Sequence, residues 1–65
     1  MNKQDIVKEI DRIRACSNDY EMAHGIEDSL DNAFIQFVAL RDDELGDMAR
    51  LVLTTADIDF SRHCA

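Results

Sequence analysis

Apolar residues recur at helical spacing three times along this chain. Ile6, Ile10 and Ile13 stand four and three residues apart, with Val7 on the flank, and predict a helix over 3–15. Met22, Ile26, Leu30, Ala33 and Phe37 fall on one stripe of a second helix over 19–40, with Ala23 and Phe34 beside it. Its register holds across Gly25, which favours one long helix with a weak point. Leu45, Met48, Ala49 and Val52 give the inward stripe of a third helix over 43–53.

Polar breaks separate these stripes. Asn2 suits the first N-cap, and Asp5 follows three residues on, where a carboxylate suits the positive helix end. Cys16-Ser17-Asn18-Asp19 offers several cap residues for the second helix. Arg41-Asp42-Asp43-Glu44 reads as the next turn, with Asp42 as cap and Asp43 and Glu44 in the first turn. Thr54 and Thr55 continue a helix poorly, which leaves a tail over 54–65. In it Ile58 and Phe60 alternate, so an extended segment or one helical turn would place both under the helices.

Three helices with short connections make antiparallel neighbours. The expected fold is all-α: one domain, a small antiparallel three-helix bundle with a short C-terminal tail packed on it. Its core is expected from Ile6, Ile10, Ile13, Met22, Ile26, Leu30, Phe34, Phe37, Leu45, Met48, Val52 and Phe60. Ile35 projects opposite Ile26 with Val38 near it, and Leu51 and Leu53 leave the third stripe. Several such residues mark a partner or self-association surface.

Size sharpens that reading. A 65-residue chain buries only about 60% of its unfolded surface and is marginal alone, so a homodimer is expected. Charge narrows the partners. The net charge is −7, and no lysine or arginine lies between Arg14 and Arg41. That segment carries Asp19, Glu21, Glu27, Asp28 and Asp31. Phosphate backbones and anionic membranes should repel such a chain, whereas a basic protein surface suits it. The N-terminus lacks an apolar run, and no stretch approaches the roughly 20 apolar residues of a membrane span. The expected compartment is the cytoplasm, with Cys16 and Cys64 as reduced thiols.

Candidate chemistry is sparse. His24-x-x-Glu27-Asp28 puts an imidazole and carboxylates on one helical face, a candidate ligand set for a metal ion. Matching acids on the other helices are not evident, and the plainer reading is a solvated acidic face with one histidine. Cys16, His24, His63 and Cys64 lack the paired spacing of a zinc site. Cys64 near a histidine lacks the electropositive enclosure a catalytic thiol needs. Asp57-Ile58-Asp59 meets only the first two requirements of a calcium loop. No catalytic residue, cofactor or resident metal is therefore expected, and the chain is not expected to be an enzyme.

The His24-x-x-Glu27-Asp28 element and the tail Ile58-Asp59-Phe60-Ser61-Arg62-His63-Cys64-Ala65 can be read together. Over roughly residues 23–65 the chain resembles small acidic proteins encoded by phages and prophages. In these an H-x-x-E-D element opens the middle helix and the chain ends in a segment like I-D-F-x-R-W-C-A. His63 stands where those proteins usually carry tryptophan. The resemblance implies expression inside a bacterial cell and no particular activity. It also implies a structural clamp, in which Arg62 reaches back to Glu27 and Asp28 beside His24 while Phe60 packs on the helices.

The function expected is that of an acidic protein-interaction module. Glu21, Glu27, Asp28 and Asp31 would hold a basic partner, with Ile35 and Val38 beside them. The alternatives are a metal-binding module at His24, Glu27 and Asp28, or a purely structural small subunit whose acidity serves solubility.

Overall fold

The computed structural model describes residues 1–60. They form α1 (Lys3–Ala15), α2 (Tyr20–Ala39) and α3 (Glu44–Leu53), followed by a 3-10 turn at Thr54–Asp57. The fold is all-α, a small three-helix assembly with a short C-terminal tail. That tail uses both conformations considered for it. One helical turn comes first, then Ile58 is extended.

Each helix start has one of its free N–H groups capped by the N-cap side chain. At α1 the Asn2 side chain accepts the Asp5 N–H and the Asp5 carboxylate accepts the Asn2 N–H, both at 2.9 Å. Asp19 accepts the Met22 N–H at 3.2 Å and starts α2. The cap of α3 is Asp43, one residue later than expected from Asp42. Its backbone is extended, and its carboxylate accepts the Gly46 N–H at 3.0 Å. Arg41 selects it by donating its Nε–H to the same carboxylate at 3.0 Å. On the outer face of α1, Arg12 lies 2.7 Å from Glu9, and Arg14 3.7 Å from Asp11. Such exposed pairs add tenths of a kcal/mol. α2 runs unbroken through Gly25.

Helix length decides the architecture. At 1.5 Å per residue α2 is about 30 Å long, α1 about 20 Å and α3 about 15 Å. Returning antiparallel from a short turn, α1 covers the first part of α2 and α3 the last part. Half-buried residues show the flanks used. Ala23, Ile26, Leu30 and Ala33 lie on one side of α2, and Ile35, Val38 and Ala39 on the other. α1 and α3 therefore sit on opposite flanks of α2, staggered along it. No Cα of α1 comes within 8 Å of one in α3. The chain is one layer of helices, with Cα extents of 39 × 33 × 9 Å.

This layer changes the core. Among the described residues, only Gly46 and Ala49 are buried. Ile6, Ile10, Ile13, Ile26 and Leu30 are half-buried, as a core stripe should be in so thin a layer. Met22, Phe34, Phe37, Leu45, Met48, Val52 and Phe60, also expected in the core, are exposed. The reason is that α3 packs through the stripe Gly46, Ala49 and Leu53, not through Leu45, Met48 and Val52. Gly46 lets the turn between α2 and α3 lie against the start of α3, where an added Cβ would overlap the Arg41 carbonyl. Ile35 and Val38, expected on an open partner surface, are likewise taken up by packing within the chain. No helix among the described residues is long and apolar enough to cross a membrane.

Candidate interaction site

The acids of α2 all precede Asn32, and residues 32–40 carry no charge. α2 is thus divided into an acidic half and an uncharged half. The short α3 covers one flank of the uncharged half. Towards its N-terminus, that flank presents the polar strip.

His24, Glu27 and Asp28 are brought together there by the helical repeat, at i, i+3 and i+4. His24 Nδ1 lies 3.8 Å from a Glu27 carboxylate oxygen, and His24 Nε2 lies 3.5 Å from one of Asp28. The side chains are 37%, 58% and 54% exposed. The imidazole therefore spans two carboxylates at the surface, one at each nitrogen. Each of the three residues offers one ligand atom, and these atoms lie within 4.8 Å of one another. Glu21 and Asp31 are exposed on the same helix.

Of the tail residues in the expected clamp, only Phe60 lies among the described residues. Phe60 and Asp28 line one shallow groove, together with Ser29, Asn32, Ile35 and Gln36 of α2 and Leu53 and Ala56 beyond it. Arg62, like His63 and Cys64, lies outside the described residues. Cys16 is half-buried at the end of α1, with Sγ 3.7 Å from the Ile13 carbonyl oxygen.

Two residues with structural roles escaped the reading of the sequence. Arg50 donates to the carbonyls of Ala39 and Arg41, the latter at 3.1 Å, while pairing with Asp47. It supplies the cation that the last turn of α2 lacks. The signal was present: a helix ending without a basic residue needs a donor from a neighbour. Gly46 is the second, and its position three residues before Ala49 is the only sequence cue. At the same corner, the Arg41 guanidinium holds the Asp43 carboxyl below the usual carboxylate range, helped by the Gly46 N–H. The same hydrogen bond raises Arg41 above its ordinary value.

Comparison of the chain with models of known families, with curated proteins and with solved structures gave no match. The likeness to phage-encoded proteins therefore rests on its two motifs alone.

Proposed function

We propose that this chain is a small protein-interaction module that holds a basic protein surface with the acidic half of α2. The observation that carries the reading is the segregation of charge along one helix. Glu21, Glu27, Asp28 and Asp31 stand within about three turns, with no lysine or arginine in the helix. Their field adds over a short distance and favours an approaching cation-rich surface. His24 lies among them, with one ring nitrogen near each of two carboxylates.

The test is affinity capture from a bacterial lysate with the chain and with Asp28→Lys/Asp31→Lys. A partner retained at about 0.1 M salt should be released near 1 M, where the Debye length shrinks from about 10 Å to about 3 Å. The double reversal should lose it at any salt. A partner held equally by both chains sinks the reading and leaves a structural subunit as the better account.

One observation favours a second reading. The closeness of ligand atoms at His24, Glu27 and Asp28 would let a divalent ion replace the two histidine contacts. Exposed acidic groups gather this way without an ion, so this reading ranks below the first. Metal analysis of protein purified without an affinity tag decides it. Stoichiometric metal supports the site; no metal, with no thermal shift on adding zinc or manganese, removes it.

A further inference from the structure

We infer that a second copy of this chain covers one broad face of the helical layer, built on Phe34, Phe37, Leu45 and Met48. A layer of helices has two broad faces. At about 100° per residue, the packed flanks fix where the other side chains point. On α2 the two flanks are centred near Leu30 and near Ile35. Between them, on one side, lie Gly25, Ser29, Asn32 and Gln36. On the other lie Phe34 and, towards the N-terminus, Glu27 and Asp31. α3 runs antiparallel and packs through Gly46, Ala49 and Leu53. Its handedness then turns Leu45 and Met48 to the Phe34 side, and Asp47 and Arg50 to the Ser29 side. Phe37 stands past the N-terminal end of the shorter α1, where that helix no longer covers it.

The two faces thus differ in kind. The Ser29 side is mixed: its shallow open groove is lined by the charged Asp5, Lys8, Glu9 and Arg12 of α1 together with the apolar Met1, Met22, Ile26 and Leu30. The Phe34 side, over the C-terminal part of α2 and α3, is apolar. Phe34 is 47% exposed, Phe37 43%, Leu45 50% and Met48 55%. Stable domains bury such a face against a second layer, and the described residues supply none.

Area argues that the second layer is another copy. The chain exposes 5487 Å². A compact monomer of 7.4 kDa should expose about 4,200 Å². The excess is larger than the roughly 800 Å² per partner that a standard interface removes. A pairing of identical faces would therefore remove more than half of that excess. The face suits itself, because residues 32–40 carry no charge and a two-fold pairing sets the same patch against itself. This proposal does not rest on the basic-partner reading. The two respond oppositely to salt, since screening relieves repulsion between copies of charge −7 and weakens attraction to a basic surface.

Sedimentation equilibrium from 5 to 500 µM tests it. A dimer is expected, tighter at 0.5 M than at 0.05 M NaCl, and Phe34→Asp/Met48→Glu should raise its dissociation constant at least 100-fold. Leu51→Glu should leave it within about threefold. Should the double variant not fold, the unaltered chain still answers through methionine oxidation. Met48 and Met22 are 55% and 56% exposed, but Met22 lines the groove on the Ser29 side. Dimerisation slows peroxide oxidation of Met48 severalfold on going from 5 to 500 µM and leaves Met22 unchanged. A monomer at 500 µM, or equal oxidation of both methionines at a concentration where the chain is dimeric, overturns the proposal.

Discussion

The two glycines of this chain have opposite circumstances. At Gly46 a Cβ would overlap the Arg41 carbonyl, backbone against backbone. Gly46→Ala must push the turn off the helix and should cost about 1–3 kcal/mol, as overpacking does. At Gly25 nothing lies within 4 Å of an added Cβ. Gly25→Ala should therefore stabilise by up to about 1 kcal/mol, the difference in helix propensity. Urea titration of both variants reads the two signs, and equal signs would discount the close approach at Gly46. Asp43 adds a pH signature. Arg41 and Gly46 lower its folded pKa, so its contribution is complete above the ordinary carboxylate value. That contribution fades as the pH falls through and below about 3.9. Asp43→Asn keeps the cap without the charge. Its melting temperature should fall less than that of the unaltered chain between pH 6 and pH 3.

Elements were the most legible level. Helix starts at Asn2 and Asp19, the continuity of α2 and the polar breaks all follow from spacing and cap chemistry. The choice of flanks did not follow, for a physical reason. α2 is apolar near Ile26 and again near Ile35, and periodicity cannot say which side an outer helix takes. α3 is ambiguous in the same way, because the stripe Leu45, Met48 and Val52 is more hydrophobic than Gly46, Ala49 and Leu53. Close backbone approach decided for the smaller residues, and the acidic strip was legible while the apolar face was not. The α2–α3 pairing then relies on Arg50 at the end of α2. Arg50→Met keeps the stem and removes the donor. It should cost about 1 kcal/mol, seen as faster amide exchange at Leu40 and Arg41, which bond Phe37 and Val38. Unchanged exchange at those two amides would remove Arg50 from this role.

At the scale of the whole molecule, stagger is the governing feature. Because α1 and α3 flank different stretches of α2, the chain has two hairpins sharing one strut. Among the described residues of a single copy, α1 and α3 make no close approach, and α2 alone joins the two hairpins. In this respect the molecule behaves like a short solenoid, whose units feel only their immediate neighbours. Ile10→Ala in α1 and Leu53→Ala in α3 should each destabilise. Below the dimerisation range their effects should add within about 0.5 kcal/mol in a double-mutant cycle. Energetic independence inside one chain turns into a sensor of assembly: coupling between these two positions, absent in dilute protein, would arise only when a second layer bridges both hairpins.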